Sequence, residues 1–313
     1  MSTILITGGS GLVGAALTGM LLAQGHEVII MGRKKKKAPD PRPVNGLRYA
    51  YWSIENRTLD EEALGAADYI VHLAGANVAE KRWTIKRKNE IVNSRTESSE
   101  LIVQALKTIS NKVRAVISAS ATGWYGPDNP APSPKPFVES DPADGSFLGE
   151  TTRRWEKSIS PVKDLGIRLV ILRIGIVLSR SGGALREFKK PVKLGIAGIL
   201  GNGKQTVSWI HIDDLCRIFS EAITRENMHG IYNAVAPNPV NNRTLTLELA
   251  RLIKGRFYIP VYIPSFALRI IFGEMSVEAL KSTTVSASRI RGEAGFQFIY
   301  PAIESALKDL IIK

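Results

Sequence analysis

Short apolar runs alternate with stretches of helical periodicity along the first half of the chain. Residues 3–33 show this most clearly, with an apolar run at 4–6, a glycine-rich turn, an apolar-periodic helix and a second apolar run at 28–31. Strand-like runs follow at 47–52, 69–73, 114–118 and 168–173, with helical stretches between them at 59–66, 84–109 and 149–165. Strands and helices that alternate at this spacing predict an α/β fold, a Rossmann-type doubly wound parallel sheet.

The pattern changes after Gly175, where a glycine-punctuated, loop-rich stretch begins. Strand and helix patterning resumes at 207–235, and the tail from 237 is helical and interrupted by prolines. Helices are expected there at 244–254, 264–272, 277–281, 286–293 and 300–311. We therefore expect residues 1–175 plus 206–236 to form the Rossmann domain. Residues 176–205 plus 237–313 are expected to form a smaller, mostly helical C-terminal domain that covers a substrate.

The turn after the first strand has the glycine spacing of a dinucleotide-binding loop. Gly9, Gly11 and Gly14 satisfy G-x-G-x-x-G, and Gly8 with Gly11 and Gly14 satisfies G-x-x-G-x-x-G. Glycine is needed because the turn is tight, the backbone approaches a pyrophosphate, and helix and strand pack closely. The helix N-terminus then offers unpaired N–H groups to phosphates. A purely structural glycine turn is the alternative.

The end of the second strand indicates which dinucleotide would bind. An NAD site usually has an acidic residue there for the ribose 2′-hydroxyl, whereas NADP needs a cation. This chain has Gly32 and Arg33 at that point, followed by lysines at 34–37. Arg33 could pair with a 2′-phosphate and stack on adenine, so we expect NADP. For the lysine run a solvated basic loop remains the simpler interpretation.

Composition is ordinary for a globular protein, with 44% hydrophobic and 23% charged residues. The net charge of +13 could indicate binding to nucleic acid or an acidic membrane. The basic residues are dispersed, however, and no nucleic-acid motif accompanies them. The apolar run at 258–272 contains prolines and an arginine and is too short to span a bilayer. We therefore expect a basic enzyme that handles phosphorylated ligands, with neither nucleic acid nor membrane as a partner.

The only cysteine, Cys216, excludes an intrachain disulfide and fits a reducing compartment. It lies in an apolar-periodic run, so a buried core thiol is expected. The first strand begins almost at Met1, which leaves no room for a signal peptide. Together these features predict a cytoplasmic protein. No His, Cys and acidic residues have metal-ligand spacing, so no metal site is expected.

Several motifs together resemble one enzyme superfamily. They are TGGSGLVG (7–14), HLAGA (72–76), Asn93, SASATGWYG (118–126), LRIGIVL with Arg173, and WIHIDD (209–214). The chain is similar to extended short-chain dehydrogenase/reductases. More narrowly, it resembles the atypical NAD(P)-binding sugar-nucleotide epimerase-like family of the epimerase/dehydratase superfamily. That family shares KRWT (81–84), GGAL (182–185), the glycine-rich 194–203 stretch and GE-x-S (273–276), and the resemblance covers the whole chain.

The resemblance implies a set of NADP contacts. The phosphate loop would consist of Thr7, Gly8, Gly9, Ser10, Gly11, Leu12, Val13 and Gly14, with Gly32 and Arg33 at the 2′-phosphate. Leu73, Ala74 and Gly75 would pass beneath the adenosine and ribose. Arg95 would reach the cofactor from the long helix, and Ser118 with Ile176 would border the nicotinamide. Without the family, Leu73 and Ala74 read equally as a strand end and Arg95 as a surface arginine.

The expected catalytic groups are only partly present. A short-chain dehydrogenase uses Ser or Thr after the strand and a Tyr-x-x-x-Lys pair in the next helix, where lysine lowers the tyrosine pKa. Ser120 fits the first role, although it could simply cap its own turn. The tyrosine and lysine positions fall on Leu148 and Thr152. Tyr125 is the candidate substitute for the proton relay.

Other polar residues near the expected site have simpler interpretations. Lys81 and Arg82 could bind an anionic substrate or form a basic rim, and His211 is expected to be structural because Asp213 or Asp214 caps the next helix.

Two functions remain open from the sequence. The first is an NADP-dependent oxidoreductase or epimerase acting on a small polar, sugar-nucleotide-like substrate, as a monomer or homodimer. The second is an NADP(H)-binding regulatory or sensor protein without efficient turnover, which the missing Tyr and Lys favour.

Overall fold

The computed structural model describes residues 1–33, 45–130 and 135–312. Its strands are β1 Thr3–Thr7, β2 Glu27–Gly32, β3 Leu47–Ser53, β4 Thr58–Leu59, β5 Tyr69–His72, β6 Ala115–Ala121, β7 Arg168–Ile174, β8 Ile176–Ser179, β9 Ile196–Leu200, β10 Thr206–Val207, β11 Trp209–His211, β12 Gly230–Ala234, β13 Val240–Asn241 and β14 Ile259–Ile263. Its helices are α1 Leu12–Ala23, α2 Glu61–Ala66, α3 Ile85–Thr108, α4 Phe147–Ile159, α5 Gly183–Lys193, α6 Ile212–Thr224, α7 Asn242–Lys254, α8 Ser265–Phe272, α9 Ser276–Leu280, α10 Ser288–Gly292 and α11 Ile303–Ile312.

Eight strands form the central sheet in the order β12-β7-β6-β5-β1-β2-β3-β4. All neighbours in this sheet are parallel except β3 and β4. The order reverses around β1, because β2 lies on one side of it and β5 on the other. This is the predicted α/β doubly wound sheet, and a ligand is expected beyond its carboxyl edge at that reversal.

The two faces of the sheet are covered by different helices. On one face Ile4 and Ile6 of β1 belong to the same buried cluster as Leu17 of α1 and Phe219 of α6. On the other face Leu5 belongs to a cluster with Ala63 and Leu64 of α2 and Leu101 and Ile102 of α3. The alternation of side chains along a strand puts these neighbours on opposite sides, so continuous apolar strands fit a sheet buried on both faces.

Three two-stranded sheets lie outside the central one. They pair β8 with β11, β10 with β13, and β9 with β14. Helix α5 forms in the stretch that was expected to be a loop. The glycines that suggested a loop lie at the ends of the helix: Gly183 is its first residue, and Gly195 follows it in a left-handed conformation. Strand β14 was also not predicted, since Pro260 interrupts its pattern. The proposed division into two domains stays a prediction. No described helix is long and apolar enough to cross a membrane.

Candidate active site and nucleotide cleft

The turn between β1 and α1 has the shape of a phosphate loop. Gly8 has φ +73°, and a Cβ added there would lie 2.8 Å from the backbone of Leu73. A Cβ added at Gly14 would lie 2.4 Å from the Gly8 carbonyl oxygen. Side chains are therefore excluded at both positions. Gly9 is buried, Ser10 is exposed, and Leu12 and Val13 are half-buried. A Cβ added at Gly183 would lie 2.9 Å from Cδ2 of Leu12.

The N-terminus of α1 is open. Gly11 is its N-cap residue and has no side chain to accept from the first N–H groups, and the first turn contains no acidic residue. These N–H groups and the positive end of the helix dipole form an anion site if a phosphate approaches.

A buried hydrogen-bond chain links this loop to α3. The Oγ1 of Thr7 lies 2.7 Å from Nδ1 of His72, and His72 Nε2 lies 3.1 Å from Oγ of Ser99. Ser99 donates its own proton to the Arg95 carbonyl, so its oxygen accepts from Nε2–H. Nδ1 therefore accepts from Thr7. Burial, with a smaller contribution from the Arg95 charge, lowers the pKa of His72 to about 3, so the imidazole is neutral.

Arg95 is a half-buried cation beside the loop after β5. Its Nη1 donates to the carbonyls of Ala76 and Ile91, and its guanidinium lies over the Trp155 ring. A Cβ added at Gly75 would lie 3.1 Å from Arg95 Cζ. Burial lowers the pKa of Arg95 to about 10, and the Arg87 charge adds to the effect. No carboxylate in the described part of the chain forms an ion pair with it. Leu73 and Ala74 are half-buried and Gly75 is exposed.

Arg33 directly follows β2 at the same edge of the sheet, and its side chain is exposed. Together with Arg87 and Lys81, its charge lowers the pKa of Glu90 in the first turns of α3, where the hydrogen bond from Arg87 is the largest cause. Arg33 therefore lies close enough to the start of α3 for its charge to act on Glu90, and its predicted contact with a 2′-phosphate stays a prediction. The lysine run at 34–37 lies outside the described residues.

Ser120, near the carboxyl end of β6, belongs to a buried charged cluster. Its Oγ donates to Oε1 of Glu156 on α4 at 2.6 Å, and only 3% of Ser120 is exposed. Arg173 of β7 binds Glu156 with two hydrogen bonds of 2.8 and 3.0 Å and stacks on Trp124 at 3.7 Å. Burial acts to lower the pKa of Arg173, but the hydrogen bonds and the charge of Glu156 act in the opposite direction, and the pKa is raised overall.

Tyr125 lies on the far side of the same cluster and is fully buried. Its hydroxyl accepts from Arg173 Nη1 at 3.0 Å and donates to Asn233 Oδ1 at 2.7 Å. Burial raises the pKa of Tyr125 to about 12, although Arg173 and Asn233 act in the opposite direction. In this arrangement the phenol has no free proton for a substrate. This geometry does not favour the relay role predicted for Tyr125, which stays a prediction.

The two positions where a tyrosine and a lysine are usual hold Leu148 and Thr152, which cannot relay a proton as that pair does. Leu148 is half-buried, and a Cβ added at Gly123 would lie 3.2 Å from its Cβ. Thr152 is buried and donates within α4 to the carbonyls of Leu148 and Gly149. Ser118 is fully buried, and Ile176 is partly exposed at the start of β8. The contacts predicted for these two with the nicotinamide stay predictions.

The loop between β5 and α3 lies against the C-terminal part of the chain. Arg82 donates to the carbonyl of Ile270 in α8, and Lys88 pairs with Glu274. Arg87, almost fully buried, holds the loop with ion pairs to Glu80 at 3.0 Å and Glu90 at 2.7 Å. Trp83 packs edge-on against Phe147 of α4. The C-terminal segment therefore contacts one rim of the cleft.

His211 is structural, as expected. The residue that caps α6 is His211 itself, however, and not Asp213 or Asp214. Its Nδ1 accepts from the Asp213 backbone N–H at 3.1 Å, and its ring stacks on Tyr300 at 3.8 Å. Asp309 of α11 lies 3.5 Å from Nε2. These residues form a group of potential metal ligands that sequence spacing could not find. Asp213 lies near Nδ1 of the ring and Asp309 near Nε2. Because Nδ1 already accepts a hydrogen bond from the backbone, we assign no metal here.

Sequence reasoning missed Glu156 and Asn233 as members of the cluster. Arg173 offered a signal, because an arginine inside an apolar strand needs a buried anion. The sequence did not show which of the many acidic residues provides it, since the pairing joins β7 to the preceding helix.

Comparison with known proteins agrees with this geometry. Residues 4–234 match the NAD dependent epimerase/dehydratase family, and residues 263–310 match a domain of unknown function (DUF1731). An epimerase family protein of Staphylococcus aureus is 34% identical, with 99% of each chain covered. The structure of the human epimerase family protein SDR39U1 with NADPH is 29% identical, with a TM-score of 0.86 and 99% of each chain covered.

A nucleoside-diphosphate sugar epimerase from Corynebacterium glutamicum is 32% identical, with a TM-score of 0.76. The match covers 100% of this chain and 59% of that one. More distant neighbours solved with NAD, such as MoeE5 at 18% identity, show the fold alone. The fold of the whole chain is thus shared with a relative whose structure was solved with NADPH. The chain belongs to the NAD dependent epimerase/dehydratase family, and its fold is that of the NAD(P)-binding short-chain dehydrogenase-like epimerases.

Proposed function

We propose that the protein is an NADP(H)-dependent oxidoreductase or epimerase that acts on a small polar or nucleotide-linked substrate. The observation that carries the proposal is the hydrogen bond from Ser120 to Glu156 near the carboxyl end of β6. That strand end and the glycine turn lie at the same edge of the sheet. A hydroxyl tied to a buried carboxylate is a proton pathway, and here it stands where the family resemblance expects the catalytic serine.

The described residues fit the nucleotide. A Cβ would fill the turn at Gly8 and Gly14, the N-terminus of α1 is open, and Arg95 is a half-buried cation that an anion would neutralise. Arg33 favours NADP because its guanidinium can bind a phosphate with two hydrogen bonds. The relative solved with NADPH supports the same choice. When bound, the cofactor supplies or accepts a hydride.

The chain's own residues handle the proton. The single proton of the Ser120 hydroxyl is donated to Glu156, so the Ser120 oxygen can accept a hydrogen bond from a substrate hydroxyl. As that hydroxyl becomes a carbonyl, its proton passes to Ser120 Oγ, and the proton of Ser120 passes to Oε1 of Glu156. Arg173 keeps Glu156 in place through two hydrogen bonds. Because Ser120 is almost fully buried, the side chains around it must move when a substrate enters.

A comparison of Ser120→Ala with wild type tests this pathway. Carbonyl compounds and sugar nucleotides are assayed with NADPH, and Ser120→Ala should lower kcat/KM by at least about 100-fold, the lower end for a positioned proton group. Ser158→Ala, on the same helix as Glu156, is the matched control because its hydroxyl only donates to the Trp155 carbonyl. Unchanged turnover in Ser120→Ala would remove Ser120 from the mechanism.

A second candidate is an NADP(H)-responsive binding protein with little or no turnover. The burial of Ser120 and the presence of Leu148 and Thr152 at the Tyr and Lys positions favour it. It requires tight NADPH binding, no reaction with any tested substrate, and a partner whose affinity depends on bound cofactor. Equal partner affinity with and without NADPH would contradict it.

A further inference from the structure

Two helix–turn–strand units lie side by side in the C-terminal half of the protein. Helix α5 ends at Lys193 and leads into β9, and α7 ends at Lys254 and leads into β14. The two helices pack together, and the two strands pair in parallel with Ile196 beside Ile259. The turns adjoin, because Ile259 donates its N–H to the Gly195 carbonyl at 2.8 Å. Residues 193–196 and 254–259 form what we call the two-turn surface.

The two-turn surface exposes large apolar side chains. Phe257 is 86% exposed, Leu194 81% and Ile259 68%. The position of a Cβ on Gly195 lies 3.7 Å from the Phe257 carbonyl, so the turns that carry Leu194 and Phe257 are adjacent. Single exposed apolar residues are common, but a group at neighbouring turn tips indicates an interaction surface.

Unpaired cations surround these apolar residues. Lys193, Lys254 and Arg256 form no ion pair with any residue of the described ranges.

The two turns, 193–196 and 254–259, hold three basic residues and no acidic one, whereas the whole chain has 42 basic and 29 acidic residues. The acidic residue of each adjoining helix, Glu187 in α5 and Glu248 in α7, is paired with a cation of its own helix. The surface is therefore more basic than the chain as a whole.

We propose that the two-turn surface docks the protein on an anionic lipid membrane. Lys193, Lys254 and Arg256 would contact acidic headgroups, while Leu194 and Phe257 enter the boundary with the acyl chains, as in other interfacial segments. From the sequence alone we expect no membrane partner, because the basic residues are dispersed along the chain and the apolar run at 258–272 is too short to span a bilayer. A surface contact needs exposed side chains instead, and the structure exposes them.

A second copy of the chain fits this surface less well. A two-fold interface brings each patch against its own equivalent, so the three cations would face three cations with no acidic residue of either turn between them. Exposed aliphatic and aromatic tips also gain little from a nucleic-acid backbone, whose contacts are made by phosphates. An acyl boundary beneath acidic headgroups satisfies both features.

Cosedimentation with vesicles tests the proposal. The full chain should bind vesicles of phosphatidylcholine with phosphatidylserine, bind phosphatidylcholine alone weakly, and be released by salt. The variant Lys193→Glu/Lys254→Glu/Arg256→Glu should lose at least about 100-fold in affinity, because each cation near such a surface contributes about fivefold. Leu194→Ser/Phe257→Ser should lose at least about tenfold.

The matched control makes the same charge change elsewhere. Lys107→Glu/Lys157→Glu/Lys163→Glu alters three exposed lysines on α3, α4 and the turn after α4, and should leave most of the vesicle binding intact. Equal loss in this control would show that only net charge matters and would overturn the proposal. Absence of vesicle binding would also overturn it. A wild-type dimer that Leu194→Ser/Phe257→Ser dissociates would identify the surface as a subunit contact. Unchanged NADPH binding in each variant shows that it folds.

Discussion

Arg33 is the residue on which the choice between NADP and NAD depends. Its side chain is exposed directly after β2, at the carboxyl edge of the sheet. Arg33→Asp replaces a phosphate-binding cation with a group that binds a ribose hydroxyl and repels the 2′-phosphate. We expect wild type to bind NADPH more tightly than NADH, and the variant to lose at least about tenfold in NADPH affinity, one charge-assisted hydrogen bond. Fluorescence titration with both cofactors measures this. Equal wild-type affinities would show that Arg33 does not select.

His72 makes the protein sensitive to acid. In the folded state its pKa is about 3, because the ring is buried, whereas an unfolded histidine has a pKa near 6.5. Between these values the unfolded chain binds one more proton. Stability therefore rises with pH across this window and is lost as pH falls below about 6.5. His72 should contribute a slope of about 1.4 kcal/mol per pH unit.

Urea unfolding across that window, in wild type and His72→Asn, measures the slope. His26 and His211 are also buried enough for their pKa to be lowered, so only the difference between the two proteins reports on His72. His229→Asn changes an exposed histidine and should leave the wild-type slope. The same slope in His72→Asn would mean that His72 takes up its proton in the folded state.

The buried cluster shows how far individual residues can be read from the sequence. Ser120 could be identified because a serine at a strand end follows a family pattern. Glu156 could not, because its pairing with Arg173 depends on how α4 packs across β6 and β7. The burial of Tyr125 was equally hidden, since its partner Asn233 comes from β12 at the sheet edge. Long-range polar contacts of this kind leave no periodic signal along the chain.

At the scale of elements, helix α1 provides a matched pair of glycines. A Cβ at Gly14 would collide with the Gly8 carbonyl at 2.4 Å, whereas nothing lies within 4 Å of one at Gly19. Gly14→Ala should open the turn and lower NADPH affinity at least about tenfold, the loss of one backbone hydrogen bond to phosphate. Gly19→Ala should instead stabilise the protein by about 0.5–1 kcal/mol, because Gly19 lies in the interior of α1 on its exposed face.

Cofactor titration and urea unfolding separate these effects. If Gly14→Ala bound NADPH like wild type, the close approach of loop and helix would not be required for binding.

The elements that the sequence predicted well are those with a simple period. Every strand of the central sheet except β4, and helix α3, appear within a few residues of the expected bounds, because most of these strands are apolar runs in a sheet buried on both faces. Helix α5 and strand β14 were missed for local reasons. Glycines at both ends of α5 resembled a loop, and β14 is an exposed strand with Pro260 inside it. Exposed elements lack the burial that creates a readable pattern.

At the scale of the whole molecule, two parts of the chain border the cleft. The first is the carboxyl edge of the sheet, with the turn after β1 and the cluster around Ser120. The second is the segment from α8 to α9, which contacts the loop after β5 through Arg82 and Lys88. Most of α8 is exposed, and only Leu268 is buried within it. Few apolar contacts therefore hold this segment against the rest of the protein, so its attachment depends largely on polar contacts.

The pair between Lys88 and Glu274 should consequently control the opening of that segment. Both side chains are partly exposed, so salt weakens their attraction. Glu274→Gln should speed amide hydrogen exchange in residues 264–276 while the central strands exchange as in wild type, because local opening depends on local contacts. High salt should have the same effect on wild type and little on the variant. Lys190→Gln breaks an exposed pair inside α5 and should leave exchange in 264–276 unchanged. Equal exchange in wild type and Glu274→Gln would show that Arg82 and Leu268 hold the segment without this pair.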